Sequence, residues 1–285
     1  MPRMPPSPAR TLVLTTFALL AFAGNSLLCR WALDRSQTDP ASFTTLRLVA
    51  GALVLWLLVR TRGRRPAGDW FSALALFVYA AGFSWAYTGL SAGTGALLLF
   101  GAVQATMLLL GLRAGARWST WQWLGLGLAM SGLVGVLMPG LSAPAPLPAG
   151  LMLVAGVAWG VYSLRGRGVA DATDTTAGNF LRAVPITLCA SALAWPWLQI
   201  DAAGALCAVI SGAVTSGLGY AVWYTALRGL SPQAAGSCQL SVPVITAVAG
   251  VLWLGESVDL RLALGSAAVL LGIALTLPRR PRQVA

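Results

Sequence analysis

Residues able to bind or react are scarce inside the apolar stretches of this chain, and most of those present fall into pairs. Asn25 stands alone, midway along the first stretch. Tyr79 and Phe83 are four apart in one stretch, and Phe100 and Gln104 four apart in the next. Trp159 and Tyr162 are three apart, as are Tyr220 and Trp223, and Gln239 follows in a later stretch. Spacings of three and four put each pair on one helical face. Aromatic walls with a few amides suit amphipathic or apolar zwitterions, and quaternary cations through cation–π contact. The same residue types also serve as interfacial belts and interhelical hydrogen bonds. Two arginines, Arg47 in "SFTTLRLVAGALVLWLLV" (42–59) and Arg182, lie inside apolar runs, where charge is costly in lipid. Pro185 and Pro243 also fall within runs and are candidate hinges, because proline removes a helical hydrogen bond.

What is missing narrows the chemistry further. The middles of the apolar runs hold no Asp, Glu, His or Lys. An intramembrane protease or metalloenzyme needs acids or metal ligands there, and proton-driven pumps usually relay through such groups. Neither a buried proton relay nor catalysis inside the apolar runs is therefore expected, with no metal, no cofactor and no catalytic residue. Cys29, Cys189, Cys207 and Cys238 lie singly, so neither a disulfide framework nor a metal site is indicated.

These residues require a membrane scaffold to hold them. The 285-residue chain is 57% hydrophobic and only 9% charged, with a mean hydropathy of +0.76. A soluble domain would carry about 25% charged residues. Apolar stretches of about 18–22 residues, the bilayer-crossing length, recur along the whole chain. They predict an all-α integral membrane protein with ten transmembrane helices at 11–33, 41–59, 70–89, 93–112, 119–138, 149–165, 176–198, 204–227, 233–254 and 260–277. All nineteen basic residues are arginine, and the net charge is +11. They gather at the ends of the runs instead of forming one basic patch with interleaved aromatics, which excludes a nucleic-acid partner. Fourteen loop arginines fall on one side of the predicted topology and two, Arg35 and Arg261, on the other. The positive-inside rule then places both termini in the cytoplasm. "AFAGN" (21–25) resembles a signal-peptide cleavage site, but cleavage there would cut a repeated unit in half.

That unit emerges when 23–49 is laid over 158–184. At an offset of 135, Arg30 meets Arg165, Asp39 meets Asp174, and Leu46-Arg47 meets Leu181-Arg182. "LGLGLAMSGLVGVL" (124–137) likewise echoes "LGSAAVLLGIALTL" (264–277), matching Gly125 to Gly265 and Gly132 to Gly272. The chain thus divides into a first repeat (11–138), a Pro-rich linker (139–148) and a second repeat (149–277). Five spans per copy is odd, so the second copy enters from the opposite face. This makes two inverted-topology repeats, with substrate handled near the midplane between them. In this arrangement Arg47 and Arg182 form a pair, one near each face. Both are expected to reach back toward the headgroups and to steady helix ends or gates, with contact to a substrate carboxylate as the alternative.

The segment 227–275, with Ser231-Pro232, Pro243, the Leu254-Gly255-Glu256 turn and the glycines Gly265 and Gly272, resembles the C-terminal signature of the drug/metabolite transporter superfamily, EamA type. "DPASFTTLRLVAGALVLWLL" (39–58) is similar to the second span of that family. The general look is of its aromatic amino-acid and methyl viologen exporter branch. Ala116 stands where the second half has Glu256, so that acid has no symmetric role. The resemblance implies a non-enzymatic, monomeric exporter of small metabolites, apolar or aromatic amino acids first and organic cations second. Its partners would be the substrate and membrane lipids. The alternatives are export of a nucleotide or sugar derivative, which calls for more deep cationic groups, and a non-transporting scaffold or sensor, which would be expected to carry a soluble domain.

Overall fold

A computed structural model describes residues 7–113, 119–138, 143–166, 169, 171–230, 235 and 238–276, the side chains of 111–113 excepted. Among them there is no strand. The helices are α1 (Pro8–Arg35), α2 (Pro40–Thr61), α3 (Trp70–Ala86), α4 (Ala92–Arg113), α5 (Thr120–Leu137), α6 (Pro146–Arg165) and α7 (Ala172–Leu193). Helices α8 (Ala202–Gly229), α9 (Ser241–Leu254) and α10 (Leu260–Thr276) complete the bundle. Helices α1, α2, α4, α5, α6 and α8 are long and apolar enough to cross a membrane, and α3, α9 and α10 are shorter apolar helices. This is a multi-pass membrane protein.

Local chemistry sets the helix ends. Pro8, Pro40 and Pro146 open α1, α2 and α6, at the position where a missing N–H costs nothing. Asp39, Asp69, Asp171 and Asp201 cap α2, α3, α7 and α8, each accepting a backbone N–H two or three residues on. Asp171 starts α7 at residue 172, four residues before the hydropathy run that predicted it. The sixth helix likewise begins inside the expected linker, because Pro146 and Pro148 occupy its first turn. Of that linker, 139–142 lies outside the described residues. So do Ala116, Ser231 and Pro232, and part of the expected ninth span. Pro243 stands in the first turn of Ser241–Ala249, just after the helical residues 238–239 and a turn at Leu240. Pro185 does lie inside α7. The irregular backbone falls elsewhere, in π-helical turns at Ser211–Leu218 within α8 and Gly250–Leu254 at the end of α9. Gly255 follows with φ +66°, the left-handed conformation that glycine adopts without strain.

The most extensive packing is α5 on α10, followed by α8 against α1 and α2, and then α3 on α6 and α2 on α7. On the α5–α10 face, backbones meet through the glycines aligned in the sequence. A Cβ on Gly125 would come within 2.5 Å of the Gly272 carbonyl, and one on Gly132 within 2.8 Å of the Gly265 carbonyl. Gly135, on the same helix, faces open space. Small residues permit the close approach on which helix association in lipid depends. Gly132→Val is therefore expected to destabilise the full chain by about 1–3 kcal/mol, whereas Gly135→Val leaves the melting temperature in detergent unchanged. Equal melting temperatures for the two variants would refute the contact.

Candidate functional site

At the centre of the bundle Arg47, on α2, is 1% exposed. Glycines let the neighbouring backbones close over it. A Cβ at Gly212 would strike the Arg47 carbonyl oxygen at 2.1 Å, and one at Gly51 would strike the Phe180 ring at 2.6 Å. The π-helical turn of α8 then supplies hydroxyls where an ordinary helix would not. A π turn takes an extra residue per repeat, so Ser211, Thr215 and Ser216 all turn toward α1 and α2. Ser216 Oγ accepts from Arg47 Nε at 3.3 Å. Ser211 and Thr215 donate to Asn25 Oδ1 at 2.7 and 3.3 Å.

Tyr79, on α3, is the other anchor. Its hydroxyl accepts from Arg47 Nη2 at 3.0 Å and from Asn25 Nδ2 at 3.4 Å. The guanidinium carbon lies 5.2 Å from the Tyr79 ring centroid and 5.0 Å from that of Phe83, within cation–π range. Rings continue outward from there. Tyr79 meets Trp159 at 4.7 Å, Trp159 meets Tyr220 at 5.0 Å and Tyr162 at 5.4 Å, and Phe22 bridges Tyr220 and Trp223. One connected cluster from α1, α2, α3, α6 and α8 thus unites Asn25, Arg47, Tyr79, Phe83, Trp159, Tyr162, Tyr220 and Trp223. These ring contacts include neither Phe100, buried in α4, nor Gln239, half-buried ahead of α9. Gln104 lines a separate crevice between α4, α5 and α10. Ser211, Thr215, Ser216 and Phe180 were not anticipated, although "SGAVTSG" (211–217) shows the hydroxyls plainly.

Arg47 corrects the expectation that both buried-run arginines reach for the headgroups. Its partners are internal, and it has no carboxylate within ion-pairing distance. Its Nη1 is buried with no hydrogen-bond partner. Arg182 behaves differently: at the edge of the bundle it donates to the carbonyls of Ala67 and Gly178. Asn179 is buried one turn nearer the start of α7 and accepts the Asp69 N–H at 2.9 Å.

Polar clasps close the bundle at both ends. At one end Arg30 pairs with Glu256 and Asp34 and donates to the Tyr87 carbonyl. Glu256 in turn accepts the Ala92 N–H that opens α4, and Asp39 and Asp201 tie the α1–α2 and α7–α8 connections together. At the other end Arg165 pairs with Asp69, and Arg64 pairs with Asp171 and Asp174. Partial burial pushes the Asp171 carboxyl up, but the N–H groups of Asp174 and Thr173 and the Arg64 guanidinium outweigh it. The net effect holds this carboxyl below the ordinary carboxylate range. Trp195 and Trp197 are exposed in the α7–α8 connection.

An all-helical membrane bundle with a buried aromatic–arginine cluster and polar clasps at each end belongs to the class of small-molecule transporters. The model of the EamA-like transporter family matches residues 147–277. An uncharacterised protein of Pseudomonas aeruginosa is 54% identical over 275 residues, covering 95% of this chain and 96% of that one. A protein of known crystal structure superimposes with a TM-score of 0.68 at 19% identity, over 94% of this chain and 97% of that one, a likeness of fold. Residues 147–277 thus form an EamA-like transporter domain, which points to a membrane transporter of the drug/metabolite type.

Two outcomes test this geometry. Tyr79→Phe strips Arg47 Nη2 and Asn25 of their acceptor and is expected to cost about 1.5–3 kcal/mol, the worth of a hydrogen bond to a charged group. Its melting temperature should fall further than that of Ser216→Ala, which loses only the longer bond. For the clasp, a depressed carboxyl pKa stabilises the fold above the ordinary carboxylate range, and that stability is lost as pH falls through the folded value. Asp171→Asn should therefore melt below the wild type at pH 7, with the gap closing in acid. A gap independent of pH would show that the carboxylate charge has no part in the clasp.

Proposed function

We propose that the protein exports small apolar or aromatic amino acids across the bacterial inner membrane by alternating access. All ten helices cross the bilayer as two inverted five-helix repeats, 11–138 and 149–277, with both termini in the cytoplasm. The observation that carries this reading is the confinement of every carboxylate to helix ends, while the centre holds one arginine, an amide, hydroxyls and a wall of rings. A site of that composition recognises an amphipathic solute, and the clasps at the two ends are of a kind that can open in turn.

The pattern of helix contacts supports the inverted repeat. Exchanging α1 with α6, α2 with α7, α3 with α8, α4 with α9 and α5 with α10 turns the α3–α6 contact into α8–α1, and α4–α6 into α9–α1. It maps α2–α7, α4–α9 and α5–α10 onto themselves, and all of these contacts are present. The family match begins at residue 147, close to the end of the expected linker. With no carboxylate or histidine at the centre, transport follows the substrate's own gradient and the protein is not an enzyme.

Counterflow decides the matter. Proteoliposomes of the full chain, preloaded with unlabelled phenylalanine or leucine, should accumulate the labelled amino acid transiently and without an imposed proton gradient. Accumulation only when a proton gradient is applied would overturn the uncoupled mechanism. No counterflow of either amino acid would overturn the substrate assignment.

A further inference from the structure

Arg47 is an unfinished binding interaction. A guanidinium carries five N–H donors in a planar fork that matches a carboxylate. Here Nε is taken by Ser216 and Nη2 by Tyr79, while Nη1 is buried without an acceptor. Both acceptors it does have are neutral hydroxyls. All eight carboxylates of the chain, Asp34, Asp39, Asp69, Asp171, Asp174, Asp201, Glu256 and Asp259, lie within about one turn of a helix end. The centre therefore holds a fixed positive charge with no counter-charge, beside rings that continue through Trp159 to Tyr220 and Tyr162.

We propose that Arg47 anchors a carboxylate of the substrate, so that the site selects aromatic or apolar carboxylates, tolerates an α-amino group and rejects organic cations with the same apolar body. The inference rests on the buried cluster being the transport path. The asymmetry follows from what the cluster offers each end of an amino acid. A carboxylate meets a guanidinium with unused donors. An ammonium meets ring faces and neutral acceptors alone, Asn25 Oδ1, which already accepts from Ser211 and Thr215, and hydroxyls such as Tyr162 Oη, and it is repelled by Arg47. The carboxylate is thus required and the ammonium dispensable, and methyl viologen-like cations, which the aromatic walls alone would suit, are excluded by the arginine among them.

Three probes share one body: 3-phenylpropanoate carries the carboxylate alone, phenethylamine the ammonium alone, and phenylalanine both. On the purified full-length wild type, 3-phenylpropanoate and phenylalanine should raise the melting temperature and phenethylamine should not. Arg47→Gln should weaken the two carboxylates by about ten- to a hundred-fold, and Arg47→Lys by less. The comparison of probes on the wild type stands even where a variant fails to fold. A shift with phenethylamine equal to that with 3-phenylpropanoate, or undiminished carboxylate binding by a folded Arg47→Gln, overturns the anchor and leaves the transport reading intact. Carboxylate binding through Arg47 without counterflow overturns the transport reading and leaves the anchor. No shift with any of the three overturns both.

Discussion

A guanidinium in the apolar interior of a membrane protein, with no carboxylate to face it, has to be held by dipoles and ring faces alone. The surroundings of Arg47 are built around that demand. Glycines at 51 and 212 bring α2 and α8 close enough for a hydroxyl of α8 to reach Nε, and the π-helical turn swings Ser216 into range while leaving Ser211 and Thr215 for Asn25. Asn25 in turn binds the Tyr79 hydroxyl, fixing the oxygen that accepts from Nη2. The low dielectric that makes the charge expensive also strengthens each of these bonds. Arginine suits the place better than lysine would, since its charge is spread over a plane that stacks on rings and is weakly hydrated.

The ends of the bundle obey a different rule. Their ion pairs are part-buried, and water and salt reach them, so each pair contributes little and can be broken and remade. Glu256 shows how such a clasp is assembled. Gly255 turns the chain back in a left-handed conformation, and the carboxylate that follows both ends α4's unpaired N–H and meets Arg30. The opposite clasp uses Arg64 and Arg165 against aspartates that also cap helices. Ends that open around a site that stays fixed are what the proposed alternating access requires.

Much of this was legible in the residues. The membrane class follows from hydropathy because run length is a direct measure of bilayer thickness, and the ring pairs follow from a helical spacing that lipid does not alter. The cluster of Asn25, Tyr79, Trp159 and Tyr220 was visible as mid-span polarity. The depth of Arg47 was not, because a side chain of that length can reach either outward or inward and only the packing of α8 decides. The π turn leaves no mark on sequence periodicity, so the hydroxyls at 211, 215 and 216 read as ordinary helix residues. Helix capping offers a second register between the halves. Matching residue types set Asp39 against Asp174, whereas capping sets Asp39 against Asp171 and Asp69 against Asp201, each pair 132 positions apart.

That shift of three positions changes the meaning of the arginines. In the capping register the residue opposite Arg47 is Asn179, not Arg182. Asn179 is buried as Arg47 is, and it is engaged with the backbone at Asp69. In the inverted-repeat reading, two equivalent depths, one in each half, carry a charge on one side and an amide on the other. A site with two facing arginines would have to be filled by a dianion to be neutral. A site with one arginine and one amide is neutralised by a single negative charge, and its polarity sets which way round an amphipathic solute lies. In that reading the symmetry of the scaffold serves the opening of its two ends, and the break in that symmetry at Arg47 gives the centre its chemistry.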